Sequence, residues 1–147
     1  MTPNIRPFST ADLRNCSQLF VDVFNAPPWT ETWSEEDAGQ RISDLSITPH
    51  FLGLVAETDG NLVALALGYS QRYQNEWHYQ LVEFCVREEL QGKGVGRALM
   101  ENLHNRLQAS GIHRCYTLTA RGTPAQEFYE KGGFYLSPKM ILMARRY

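Results

Sequence analysis

Read along the chain, the strand and helix signals predict one α/β domain over residues 1–147. Its central sheet should be mixed, mostly antiparallel, and flanked by about four helices. Three observations carry that expectation. A chain of 147 residues with 43% hydrophobic content can bury one real core. Two apolar runs, Phe51–Glu57 and Leu62–Arg72, flank Asp59-Gly60-Asn61, a strong hairpin turn. The run Gln91-Gly92-Lys93-Gly94-Val95-Gly96-Arg97-Ala98 stands between a strand-like segment and a helical pattern.

Each element has its own signal. Ile5–Phe8 reads as a short strand. Ser9 with Asp12 three residues later is a variant capping box, and Leu13, Cys16, Leu19, Phe20, Val23 and Phe24 give the helix that follows one apolar face. Asn25-Ala26-Pro27-Pro28-Trp29 ends it, because proline cannot continue a helix. Ser34 caps a second short helix with Glu35, Glu36 and Asp37 in its first turn. After the hairpin, a connection near Asn75-Glu76 leads into a strand over Tyr79–Arg87. Val95, Leu99, Leu103 and Leu107 recur at helical spacing, and that helix should stop at Gly111. Ile112–Thr119 reads as a strand. Thr123-Pro124-Ala125-Gln126 starts a helix with proline in its first position. Phe134–Arg145 is expected to complete the sheet as two short strands around Pro138.

The glycine turn holds most of the functional information. A strand, a glycine turn and a helix N-terminus together make an anion site, because backbone N–H groups and the positive end of the helix dipole converge there. Lys93 and Arg97 add charge, which suits phosphate and most of all a pyrophosphate. A P-loop needs G-x-x-x-x-G-K-[ST], which is absent. A dinucleotide fingerprint fails because Arg97 and Leu99 occupy positions that should be glycine, and no Asp or Glu lies between Glu101 and Glu127. What remains is Q-x-x-G-x-G.

That motif resembles the acyl-CoA-binding signature of the GNAT superfamily of N-acyltransferases. Ala125-Gln126-Glu127-Phe128-Tyr129-Glu130-Lys131-Gly132-Gly133-Phe134 resembles the second signature of that family, a helix ending in F-Y-E-K-x-G-F. Gly133 departs from it, since the family usually carries a larger apolar residue there. The predicted element order also matches the family's. The resemblance implies an N-acetyltransferase using acetyl-CoA as cosubstrate. The backbone of Phe84, Cys85 and Val86 would pair with the pantetheine arm, and an N–H near Val86 would stabilise the oxyanion formed from the thioester carbonyl. Gln91, Gly92, Lys93, Gly94, Val95, Gly96 and Arg97 would hold the pyrophosphate. Tyr129 occupies the position of the tyrosine that protonates the leaving thiolate, although a tyrosine packed on the sheet is the alternative.

An amine of pKa near 10 must lose a proton before it attacks. Glu83 is the candidate base, being the only acidic residue of the Tyr79–Arg87 strand and expensive to bury unless partnered or used. A purely structural carboxylate is an equal reading. Trp29, Glu31 and Trp33, with Glu76, are the candidate acceptor-binding residues, because aromatics mixed with carboxylates suit a cationic amine. The two tryptophans serve equally well as anchors of the first helix.

Charge agrees with this division. Net charge is −2, yet residues 1–90 carry 13 acidic and 5 basic side chains, while residues 91–147 carry 3 acidic and 9 basic ones. A basic half suits a multiply phosphorylated cosubstrate and an acidic half a cationic acceptor, such as a small molecule or a protein lysine. Cys16, Cys85 and Cys115 sit in apolar patterns and read as reduced core residues, and neither they nor the 4 histidines show metal spacing, so no metal is expected. The N-terminal sequence lacks the apolar stretch of a signal peptide and no run approaches a membrane span, which points to a cytoplasmic protein. With no basic run, nucleic acid is not an expected partner. The sequence leaves room for a homodimer, and for a non-catalytic acyl-CoA-binding module as the alternative function.

Overall fold

The computed structural model describes residues 2–147. Its order is β1 (Asn4–Pro7), a single 3-10 turn, α1 (Leu13–Phe24), α2 (Glu35–Ser46), β2 (Phe51–Thr58), β3 (Asn61–Tyr73), β4 (Glu76–Val86), a second 3-10 turn, α3 (Val95–Ala109), β5 (Arg114–Thr117) and α4 (Pro124–Lys131). The strands form one sheet in the order β1-β2-β3-β4-β5, antiparallel throughout except for the parallel β4–β5 pair. This is the mixed, mostly antiparallel α/β architecture that the sequence predicts. Among the described residues, no helix is long and apolar enough to cross a membrane.

Two cores lie on opposite faces of the sheet. One joins α3 and α4 to Leu54, Ala56, Ala64, Ala66, Tyr79, Leu81 and Val86, and it takes in Val95, Leu99, Leu103 and Leu107. The other joins α1 and α2 through Cys16, Leu19, Phe20, Ala38 and Ile42 to Val55, Leu65, Leu67 and Cys85. A two-residue turn with Asp59 and Gly60 both at positive φ (52° and 78°) connects β2 to β3, the twist a tight hairpin needs. Asp12 accepts from the Ser9 amide (2.8 Å) and pairs with Arg6 (2.7 Å), which also reaches Glu57 near the end of β2 (2.6 Å). The start of α1 is thereby tied to β1 and β2.

A β-bulge sets the direction of the site residues. Leu67 pairs with Glu83 but Gly68 pairs with Leu81, so Val82 is an extra residue in β4. Below the bulge Tyr79 and Leu81 face the α3 side, whereas above it Phe84 and Val86 face that side and Cys85 turns to the α1–α2 side. One inserted residue therefore swings Glu83 away from α3 and towards α2. Gly68 is required beside it. A Cβ there would collide with the Gln80 carbonyl oxygen and the Tyr79 ring.

Two expectations are corrected. β5 spans only Arg114–Thr117, shorter than the apolar pattern 112–119. Residues 134–147 form no strand at all. Their alternation and apolar content suit a strand, but a strand needs a partner edge, and this segment takes none within its own chain.

Candidate active site

α3 begins with Gly94 as its N-cap, at φ 91°, and Gly92 sits at φ 75°. Side chains rarely tolerate that left-handed backbone, and the two glycines let the chain turn so that the first amides of α3 face outward. Those amides lack intrahelical acceptors, and the dipole of a 15-residue helix adds to them. Gly96 serves differently: a Cβ there would press on Phe128 and Val86 at 3.3 Å, so its absence lets α3 sit close to α4 and β4. Gln91 donates to the Val86 carbonyl oxygen (2.9 Å), pinning the turn to the end of β4. Lys93 and Arg97 are at the surface, Arg97 bonded to Glu101 at 3.0 Å. The exposed amides, the space around Gly92 and Gly94, and these cations fit a pyrophosphate.

Beside the turn, the sheet splays. β5 pairs with β4 only from His78 to Leu81, leaving 82–86 without a β5 partner. The Arg87 amide donates to Val63 of β3 (2.8 Å), so ladder alternation directs the backbone groups of Phe84 and Val86 to the opposite edge, where no strand pairs with them and the Val86 carbonyl takes the Gln91 side chain. That edge is open to another extended chain. By the same alternation Cys85, expected from the sequence to join this edge, turns its backbone groups to Leu65 of β3 and contributes none to it. Its side chain is buried beside Cys16, and burial pushes the thiol well above its ordinary range, so it stays neutral.

A cavity of about 330 Å³ opens where β4 and β5 part. Glu83, Phe84 and Tyr129 line it with Trp29, Glu31 and Trp33, and Arg41 of α2 and the segment Thr117–Ala120 close it. Glu83 is buried (6% exposed) and receives Arg41 Nε at 2.5 Å. Burial is the strongest influence on its carboxyl and raises it above the usual carboxylate range, while the Arg41 bond opposes that rise. Tyr129 is 9% exposed within an aromatic group of Phe84, Phe128 and Phe134. Burial lifts its phenol to about 12, with the neighbouring Thr117 hydroxyl acting the other way. It is a neutral donor at physiological pH.

The loop carrying the aromatics is fixed by Asn25. That side chain donates to the Trp33 carbonyl (2.9 Å) and accepts from the Trp33 amide (2.8 Å), while the Glu31 amide bonds Phe24 (2.9 Å). Trp33 packs edge-on to Phe20, Trp29 packs edge-on to Phe24, and Trp33 Nε1 donates to Glu31 (2.8 Å). The tryptophans therefore anchor α1 and line the cavity at once. Glu76 does not line it. It begins β4 and bonds His78 at 3.0 Å. Arg41 and Asn25 carry no motif that the sequence reading could have used; Gly68 within an apolar strand is the one signal for the bulge.

A family model, Acetyltransferase (GNAT) family, matches residues 18–134. The chain belongs to that family. Acyl-CoA is the family's cosubstrate. Solved structures share the fold of this acetyltransferase family member across nearly its whole length. A transcriptional regulator from Bacillus halodurans C-125 matches at TM-score 0.79 and 18% identity, covering 98% of this chain and 100% of that one. An aminoglycoside acetyltransferase from an uncultured soil metagenomic sample matches at 0.76 and 16%, covering 99% and 96%. Glucosamine-6-phosphate N-acetyltransferase from Arabidopsis thaliana matches at 0.72 and 18%, covering 100% and 99%. Comparison with curated proteins finds no match.

Proposed function

We propose that this protein moves an acetyl group from acetyl-CoA to the primary amine of a small cationic molecule or a lysine side chain, by direct attack while both are bound. The observation that carries this reading is the shared cavity, where a buried carboxylate and a buried phenol meet beside the open edge of β4. The α3 turn holds the pyrophosphate, and the free backbone edge at Phe84–Val86 receives the pantetheine arm. The Val86 amide, turned to that edge, polarises the thioester carbonyl.

Glu83 takes the proton from the incoming ammonium, directly or through a water. Its raised carboxyl narrows the gap to an amine of pKa about 10, which makes it a better base than an exposed glutamate. Arg41 positions it. As the new C–N bond forms and the C–S bond breaks, Tyr129 donates a hydrogen bond to the departing sulfur. With the phenol at about 12, full proton transfer to a thiolate is uphill, so stabilisation of negative charge on sulfur is the larger part of its work. Glu31, Trp29 and Trp33 face the cationic acceptor. Two proteins of the same fold are named for different amino-sugar acceptors, so the fold alone selects none.

The test is incubation of the protein with acetyl-CoA and a panel of amines, following free thiol and the mass of the amine product. One thiol released per acetylated amine supports the reading. Saturable CoA binding with no release from any amine would leave a binding module instead.

A further inference from the structure

Arg41 offers the cavity more than Glu83 uses. Helix α2 buries Ala38, Ile42 and Leu45 at helical spacing, and Arg41, beside Ile42, stands at the rim of that buried stripe and on the cavity wall. Among the described residues its one hydrogen bond runs from Nε to Glu83, and its side chain stays 47% exposed. Nη1 and Nη2, the forked end of the guanidinium, therefore reach no acceptor of the protein. An arginine serving a carboxylate alone can lay two N–H groups on it, as Arg6 does on Asp12 at 2.8 and 2.7 Å. Here one bond serves Glu83 and the fork is left over. The fork is also held in place. The Nε bond fixes one edge of the guanidinium, and the Trp33 ring lies 5.6 Å from its Cζ.

The charges around that fork select an occupant. Glu31 and Glu83 line the same cavity, so a molecule with positive groups alone would meet both carboxylates and, between them, an unanswered guanidinium. One Glu31 oxygen takes Trp33 Nε1 (2.8 Å), and the other bonds no described residue, so it can meet a cation. We infer that Arg41 takes a carboxylate of the acceptor end-on through Nη1 and Nη2, so that the acceptor is a small cationic amine that also carries a carboxylate, as a dibasic amino acid does. The attacked amine then faces Glu83, the carboxylate faces Arg41 and the second cation faces Glu31. This inference rests on the acetyl-transfer reading above and narrows its acceptor class to small molecules.

The test sets L-lysine and L-ornithine each against its own carboxamide, with acetyl-CoA and thiol release as the readout. The amide keeps the shape, loses the negative charge and is the more cationic. A site that reads positive charge alone prefers the amide, whereas the Arg41 fork prefers the acid. In wild type, kcat/KM should be about tenfold or more higher for the acid in at least one pair, as a charge-assisted pair of bonds allows. In Arg41→Met that ratio should fall to about one or below, because weaker positioning of Glu83 slows acid and amide alike and cancels. Arg41→Lys, a point charge without the fork, should keep only part of the preference. If Arg41→Met does not fold by circular dichroism, Arg41→Gln gives the same ratio. A wild type that uses the amides as well as the acids, or only amines without an anion, would overturn the inference. So would a preference for the acid that survives in the folded variant. Should no amine release thiol, the acetyl-transfer reading fails, and calorimetry of the same pairs on the CoA-bound protein decides the inference: tighter binding of the acid supports it and equal binding overturns it.

Discussion

Glu83 is held by two opposed influences, burial that favours its neutral form and Arg41 that favours its charge, and their balance sets the acid side of the rate profile. Removing Arg41 removes only the second influence. Arg41→Met should therefore raise the Glu83 carboxyl further and move the acid limb of kcat to higher pH, with a smaller effect on acetyl-CoA affinity; steady-state rates across pH decide it. Tyr129→Phe keeps the packing against Phe84 and Phe134 but removes the donor, and should lower kcat by about 10²-fold with little change in cosubstrate binding, as a donor aimed at developing charge typically contributes. A loss that falls on KM alone would reduce Tyr129 to a packing role. Little of this residue-scale arrangement was legible beforehand. Glu83 and Tyr129 could be picked out by type and motif, but Arg41 lies 42 positions from its partner and has no local signature. Glu76 fell in an aromatic segment by sequence yet stands apart from the cavity, because the sequence shows neighbours along a strand rather than around a site.

At the scale of elements, local chemistry was read well wherever one segment specifies its own geometry. The apolar stripe of α3, the Asp59-Gly60 turn and the Thr123 cap depend on residues a few positions apart. The bulge at Val82 depends on β3 as well, and the segment 134–147, despite its apolar content, pairs with no strand of its own chain. The glycine turn separates two kinds of loss. Gly94→Val must adopt a left-handed backbone and should weaken acetyl-CoA binding at least tenfold, about 1.4 kcal/mol. Gly96→Val presses on Phe128 and Val86, so it should lower the melting temperature as well as the affinity; calorimetry and thermal melts distinguish them. At the start of α1, the Arg6 hydrogen bond is the main cause that holds Asp12 below the usual carboxylate range. A carboxyl depressed in the folded state stabilises the fold above its unfolded pKa of about 3.9, and that contribution is lost as pH falls through the lower folded value. Asp12→Asn should cost about 1–3 kcal/mol at neutral pH and lose less stability than wild type on acidification, read by denaturant titrations.

For the molecule as a whole, the two faces of the sheet divide the labour. The α3–α4 side supplies the turn and the phenol, and the α1–α2 side supplies the aromatic loop, Glu31 and the arginine behind Glu83. Charge on that second side should draw a cationic acceptor. Because attraction between exposed charges decays over about 8 Å at physiological salt, added salt should raise the apparent KM for the amine. Glu31→Lys should raise it further, whereas Glu76→Lys, outside the cavity, should change it little. Deprotonation of the acceptor by Glu83 is read from the pH–rate profile of wild type against Glu83→Gln with a cationic amine. The variant should be slowed most at low pH and recover as pH nears the amine pKa, where the acceptor arrives already neutral. A variant with the wild-type profile would contradict that role and make Glu83 a structural carboxylate.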